Sequence, residues 1–279
     1  MARQALSAGT EGKEQKKEVF LQREMWSTAR LHAKVNLSRD TRLFSFKLEH
    51  EEQGLGLQTG QHVMVRLRDP VTREAIVRCY TPVSSLERKG YVDLLVKIYF
   101  DDPDTGQKGG TCSKAIDSLP VGHTVDFKGP IGKFEYHGGG EYSLNGNRKH
   151  AKQFLMICGG SGVTPIYQVF RTIMRDQQDP TVCTVLDTNR HDGDILYQEH
   201  LDTLVLEGQG RGRLIYTLTN GSEKWTGMRG RITARLIHQI FPWCEEAVVL
   251  VCGPKEMEKD MRTCLEDNGW SLKTQVIFF

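Results

Sequence analysis

The chain has 279 residues, 26% of them charged and 38% hydrophobic, with a formal net charge of +2. That length holds two domains of ordinary size, and the near-balanced charge gives no bulk argument for nucleic-acid binding. Seven scattered cysteines with no C-x-x-C pair argue against a disulfide framework or a metal site and point to a reducing, cytoplasmic setting, while apolar runs as short as Ala247–Cys252 cannot span a bilayer.

Residues 1–17 are polar and lack an apolar signal-peptide core, so residues 1–25 are expected to form a disordered leader. Residues 26–137 show short alternating runs at 30–37, 41–48, 62–67, 75–80, 91–99 and 124–127, punctuated by glycines. That spacing predicts an antiparallel β-barrel or sandwich, with one short helix at 113–119. A polar, glycine-rich span, 138–152, is expected to be the linker. Over 153–279 the pattern becomes strand–helix alternation: strands at 154–157, 181–187, 213–218, 247–252 and 276–279, and helices at 165–176, 197–207, 232–240 and 255–268. Gly269 is placed to end the last helix. Such alternation predicts an α/β, Rossmann-like parallel sheet, with ligands beyond the C-terminal strand ends.

Four segments carry chemistry. Arg78-Cys79-Tyr80-Thr81-Pro82 ends a strand with a cation and a ring on one face; an arginine fork suits phosphate and a tyrosine ring suits stacking. An exposed barrel strand is the plainer alternative. Gly109-Gly110-Thr111-Cys112-Ser113 opens the short helix, where backbone amides can meet a phosphate or where Thr111 or Ser113 can serve as an ordinary cap. In Gly159-Gly160-Ser161-Gly162-Val163-Thr164-Pro165 a strand enters a glycine turn, and Gly160 and Gly162 supply G-x-G. Pro165 stands where a Rossmann fingerprint has its third glycine, and proline fits a first helical turn. An ordinary strand-to-helix turn is the alternative there. Val251-Cys252-Gly253-Pro254, followed by Met257, repeats the strand–glycine–helix plan. Cys252 sits where it can touch a nicotinamide ring, or it is a buried small residue.

In this order, the four segments resemble the ferredoxin–NADP reductase superfamily in its cytochrome b5 reductase and nitrate reductase branch. They match its R-x-Y-T-P flavin motif, its G-G-x-x-[ST] diphosphate motif, its G-G-[ST]-G-[IV]-T-P turn and its C-G-P nicotinamide motif, over roughly residues 30–279. The segment Lys128-Gly129-Pro130-Ile131-Gly132-Lys133-Phe134-Glu135-Tyr136, the glycine-rich insert with Leu144-Asn145-Gly146, and Met156-Ile157-Cys158-Gly159-Gly160-Ser161-Gly162 look like the C-terminal flavin domain of assimilatory nitrate reductases. Arg66-Leu67-Arg68-Asp69-Pro70 looks like the fungal members.

The resemblance implies an FAD domain followed by a pyridine-nucleotide domain. It assigns FAD contacts to Arg78, Tyr80, Thr81, Val96, Tyr99, Gly110, Thr111, Cys112, Ser113 and Thr164, and sets His62 close to the flavin. It assigns pyridine nucleotide to Gly160, Gly162, Thr219, Arg231, Cys252, Gly253, Pro254, Met257 and Phe279, with Lys97 pairing a nucleotide phosphate. Hydride is expected to pass from NADPH to FAD beside Cys252, Thr164 and Lys97, and single electrons onward to a cytochrome b5-type haem domain and a molybdenum-cofactor domain upstream in the same chain. The full-length enzyme is expected to be a homodimer, and the fragment a monomer. NADH users of the family place an aspartate after the third parallel strand; here Thr219 holds that place and Arg231 follows, with Arg229 in support, so NADPH is expected over NADH. A free-standing NAD(P)H–cytochrome b5 reductase and a non-enzymatic nucleotide-binding regulator are the rival readings.

Overall fold

The computed structural model describes residues 19–69, 72–103, 106 and 108–279. Of the leader expected over 1–25, residues 1–18 lie outside the described residues. The rest departs from expectation: Phe20 and Leu21 are buried, and their amides donate to the carbonyls of Gly54 and Leu55 at 2.9 and 3.1 Å. Two large apolar side chains in a row are enough to draw this stretch onto the sheet core, where the Phe20 ring meets Phe127 edge-on at 5.9 Å.

The first half contains β1 (Ser27–Asn36), β2 (Thr41–Lys47), β3 (His62–Arg68), β4 (Ala75–Tyr80), β5 (Tyr91–Lys97), α1 (Thr111–Asp117) and β6 (Thr124–Ile131). The six strands form one antiparallel sheet in the order β4-β3-β6-β1-β2-β5. The expected period of two is visible along β3, where Val63, Val65 and Leu67 are buried and their neighbours are not. Beyond β4, the Val83 amide donates to Asp93 on β5 at 2.9 Å, so the two sheet edges meet at one end in barrel fashion. Phe44, Phe46 and Phe127 fill the interior.

Residues 138–152, expected as a plain linker, instead carry most of a small antiparallel sheet of β7 (Phe134–Gly138), β8 (Glu141–Leu144) and β9 (Asn147–His150). Its tight turn is Asn145-Gly146, with φ of 52° and 79°. Asn-Gly is the residue pair that a two-residue hairpin turn with positive φ favours, so the polarity of the span hid a hairpin signal.

The second half runs β10 (Gln153–Gly159), α2 (Val163–Arg175), β11 (Val182–Asn189), α3 (Gln198–Glu207), β12 (Gly212–Leu218), β13 (Met228–Arg229), α4 (Ala234–Ile240), β14 (Ala247–Cys252), α5 (Lys255–Asp267) and β15 (Val276–Phe278). Its sheet is parallel throughout, in the order β13-β12-β11-β10-β14-β15. Helix α2 is buried on nearly every side because it lies between this sheet and the first half. Across that seam Gln168 Oε1 accepts from the Gly60 amide at 2.6 Å, the Thr172 and Thr59 hydroxyls meet at 3.0 Å, and Arg171 donates to the Val83 carbonyl at 3.1 Å. Val83, Leu95 and Phe134 share one apolar cluster with Phe154, Ile166 and Phe170. No helix among the described residues is long and apolar enough to cross a membrane.

Candidate functional site

A cleft of about 1650 Å³ follows the seam, walled by β4, β5 and the approach to α1 on one side and by the C-terminal ends of β10, β11, β12 and β14 on the other. All four sequence segments that carry chemistry line it. The parallel sheet thus presents its ligand-binding end, as open α/β sheets do, and the antiparallel sheet faces it.

On the antiparallel wall, the Arg78 side chain is exposed in the cleft, with one donor on its neighbour's carbonyl, Val77, at 2.8 Å. The Tyr80 hydroxyl meets Cys112 Sγ at 3.4 Å; burial, with the Cys112 thiol beside it, pushes the phenol far above its ordinary value. Thr81 is half-buried beside them. Val96 is 2% exposed, with its side chain in the sheet core, so only its main chain borders the cleft. Half-exposed Tyr99 reaches across the seam to Ser161, oxygen to oxygen 3.3 Å. His62 also lines the cleft, and burial lowers its pKa.

Helix α1 begins at Gly110 with no side chain capping it, which sets aside the ordinary-cap alternative. Its first-turn amides, Thr111, Cys112 and Ser113, have no intrahelical acceptor. The Ser113 hydroxyl itself is committed: it accepts from the Tyr99 amide and donates to the Gly110 carbonyl, both at 3.1 Å. The expected Ser113 contact therefore narrows to its amide, and that of Cys112 does too, since its thiol is buried against Tyr80.

On the parallel wall, Gly160–Gly162 form a short 3-10 turn that runs straight into α2. Gly160 has φ +55°, and its amide donates to Asn189 Oδ1 at 3.2 Å, so of the turn's donors Gly160 faces protein rather than ligand. Gly162 abuts the neighbouring turn so closely that a Cβ there would lie 2.8 Å from the Gly253 nitrogen. Thr164, nearly buried, donates to the Ser161 carbonyl at 3.2 Å. Cys252 is partly exposed, and burial pushes its thiol up to about 12, so it is a neutral S–H. Pro254 starts α5, and Met257 packs beneath Gly159 and Gly253. The Phe279 amide donates to the Val251 carbonyl at 3.1 Å, and its ring stands edge-on to Phe134 at 5.7 Å.

Three expected cations have partners within the protein. Lys97 is not free: its ammonium lies 3.2 Å from Asp40 and 2.8 Å from Asp194. Burial pulls its pKa down, but the bonds and charges of those two carboxylates outweigh this and the net shift is upward. Arg229 spends its guanidinium on the carbonyls of Gly221, Ser222 and Trp225 at 2.6–2.8 Å, where it shapes a loop and has no cleft position. Arg231, in the cleft near Thr219, pairs at 3.6 Å with Asp260.

Several partners in the cleft carry no motif signal: Asp40, Asp194, Asp260 and Asn189. Asn189 ends β11, and a polar residue at that strand end was the one available hint. Beneath it Asp187 is fully buried and accepts from the Cys158 thiol at 3.5 Å. Burial drives its carboxyl up to about 7, with the Cys158 thiol tempering the shift. Asp187 Oδ2 and Asn189 Nδ2 find no hydrogen-bond partner among the described residues.

The cleft fits two dinucleotides. Its volume of about 1650 Å³ exceeds the roughly 300–1,000 Å³ of a single small-ligand pocket. Two helix starts without side-chain caps, α1 and α2, open on it, and two turns approach so closely at Gly162 and Gly253 that no side chain fits between them.

Comparison with known proteins agrees. Residues 28–136 match the oxidoreductase FAD-binding domain, and residues 156–263 the oxidoreductase NAD-binding domain. The chain is 52% identical over 260 residues to a nitrate reductase (NADPH) of Leptosphaeria maculans, covering 93% of this chain and 29% of that protein. It is 36% identical over 254 residues to nitrate reductase (NADH) 1 of Arabidopsis thaliana, covering 90% and 28%. The chain thus spans under a third of the length of these curated relatives. The crystal structure of the cytochrome b5 reductase domain of Ulva prolifera nitrate reductase superposes with a TM-score of 0.89 at 35% identity, covering 94% of this chain and 100% of that one.

Proposed function

Because the chain belongs to the cytochrome b5 reductase domains of nitrate reductases, oxidoreductases with an FAD-binding and an NAD-binding half, we propose that it is the NADPH-using reductase module of an assimilatory nitrate reductase. The observation that carries this reading is the meeting, across one cleft, of the Arg78–Tyr80 strand and the start of α1 with the glycine turn and the Cys252-Gly253-Pro254 turn.

FAD, when bound, takes hydride from a reduced pyridine nucleotide and gives electrons up singly. The protein's part is position and electrostatics. The Arg78 fork and the first-turn amides of α1 would hold the diphosphate, and the Tyr80 ring would pack against the flavin. Tyr99 and Val96, through ring and main chain respectively, border the same cofactor. Ser161 and Gly162 offer amides to the nucleotide pyrophosphate while Asn189 keeps Gly160 in its left-handed conformation. Thr164 sits at the junction of the two ligands. The neutral Cys252 thiol would orient the nicotinamide, and Phe279, braced on Phe134, would shield that side from water. No side chain has to exchange a proton for hydride transfer.

Coenzyme choice falls at Thr219 and Arg231. Thr219 places no carboxylate against a 2′-phosphate, and Arg231 adds a cation; both favour NADPH. A haem domain and a molybdenum-cofactor domain upstream in the same chain would take the electrons, in a cytoplasmic, dimeric enzyme. The 52% identity to a nitrate reductase (NADPH) and the 35% identity to the reductase domain of another nitrate reductase support that arrangement over a free-standing cytochrome b5 reductase.

Anaerobic titration of the FAD-loaded protein with each pyridine nucleotide tests the proposal. Bleaching of the flavin band by NADPH at lower concentration than by NADH is expected, as is reduction of ferricyanide or a b-type cytochrome without reduction of nitrate. A flavin band that neither nucleotide bleaches overturns it.

A further inference from the structure

Lys97 is a cation that both halves of the molecule hold at once. Its strand, β5, belongs to the antiparallel sheet; Asp40 lies just before β2 of the same sheet; Asp194 comes from the far side, in the loop that follows β11. All three line the cleft, and all three side chains are between 15% and 26% exposed. The cluster therefore sets one positive charge against two negative ones in a partly desolvated place, where charges act more strongly than in water.

Asp194 is held in that position from its own side. Its second oxygen accepts from the His191 amide at 3.1 Å, and His191 is fixed in turn by its ring nitrogen on the Asn220 carbonyl at 3.0 Å. Burial raises the Asp194 pKa, and the Lys97 bond and charge with the His191 amide bring it below the ordinary value. The same loop carries Arg190 and His191 into the cleft, beside Thr219, whose amide donates to the Asn189 carbonyl at 3.1 Å.

We propose that Asp194 sets pyridine-nucleotide affinity by occupying Lys97 from across the seam, so that a nucleotide phosphate must displace this carboxylate to claim the cation. The inference rests on the reading of the cleft as a pyridine-nucleotide site. The bound nucleotide trades one anion for another at Lys97, so whatever the Asp194–Lys97 pair contributes is subtracted from what the phosphate gains there. Asp194 is thus an internal competitor, and its removal strengthens binding. A side chain that merely braced the seam would weaken binding when removed.

Calorimetric binding of NADP+ to the FAD-loaded protein decides between these signs, with thermal melting as the check on folding. Asp194→Asn is expected to lower Kd roughly three- to tenfold, as the loss of one competing ion pair of up to about 1 kcal/mol implies, and the gain should shrink in 1 M salt, where screening reaches about 3 Å. In the Lys97→Met background the same substitution should change Kd little. An Asp194→Asn protein that melts like the wild type but binds NADP+ equally or more weakly overturns the inference, and so does a gain that persists without Lys97. If the wild type binds neither NADP+ nor NAD+, the nucleotide reading of the cleft has itself failed.

Discussion

The Arg231 guanidinium and the Asp260 carboxylate lie 3.6 Å apart with side chains 79% and 51% exposed. An ion pair this open to solvent is worth about 0–1 kcal/mol, so Asp260 steers Arg231 without holding it. A 2′-phosphate offers a charge-assisted bond of about 1.5–3 kcal/mol and outcompetes it. Arg231→Ala should therefore lower kcat/KM for NADPH about tenfold, with kcat/KM for NADH unchanged. Steady-state kinetics with ferricyanide as acceptor check this; equal losses with both coenzymes would place Arg231 outside the 2′-phosphate site.

Much of this site was legible because each of its motifs is a main-chain device. A glycine at Gly162 or Gly253 records a close approach, and a strand–turn–helix passage records where amides are free, so the sequence shows both. The hydrogen-bond partners of charged side chains leave no such mark. Lys97 and Arg229 look alike as free cations in the sequence, yet Asp40 and Asp194 neutralise the first and three loop carbonyls absorb the second. Those partners come from distant segments, and only the fold brings them together. Likewise Phe20 and Leu21 sit at the end of a polar stretch, and their placement depends on the carbonyls of Gly54 and Leu55 in the loop between β2 and β3.

Gly162→Ala should separate the nucleotide site from the flavin site. A Cβ at this position meets the main chain of Cys252 and Gly253, the latter at 2.8 Å, and main chain cannot rotate aside. Overpacking of this kind costs about 1–3 kcal/mol, and the strain falls on the two turns that face the pyridine nucleotide. NADP+ binding should weaken about tenfold, following from that cost, while FAD content per protein stays at the wild-type level. Flavin absorbance and calorimetry on one preparation measure both, and parallel loss of FAD would contradict the separation.

Asp187 makes stability depend on pH in a stated direction. Burial raises its folded-state pKa from 3.8 to about 7. Below pH 3.8 both states hold the proton and this contribution is fully present. As pH rises toward 7 the unfolded chain loses the proton while the folded one keeps it, and above about 7 the contribution is gone, a swing on the order of 4 kcal/mol. Asp187→Asn removes the swing. Its melting temperature should exceed that of the wild type at pH 8, with the gap closing toward pH 4. A gap that is constant across this range would show that the carboxyl does not carry the effect.

Cys252 tests whether position or reactivity is what the cleft asks of its thiol. Burial pushes the thiol from 9.0 to about 12, so between pH 6 and 9 it stays protonated, as a weak donor and a small packing group rather than a nucleophile. Its charge therefore cannot shape the pH dependence of turnover. Cys252→Ala should lower the rate of flavin reduction roughly tenfold, the scale of one lost positioning contact of about 1.4 kcal/mol, yet the pH–rate profile between 6 and 9 should run parallel to that of the wild type. Because the shift is upward, the stability the thiol contributes is fully present below pH 9, declines as the unfolded chain loses its proton above that, and is gone above about pH 12. Stopped-flow reduction at several pH values reads the profile directly. A limb present in the wild type and missing from Cys252→Ala would mean that the thiolate takes part, and the neutral-thiol account of the nicotinamide side would have to be abandoned.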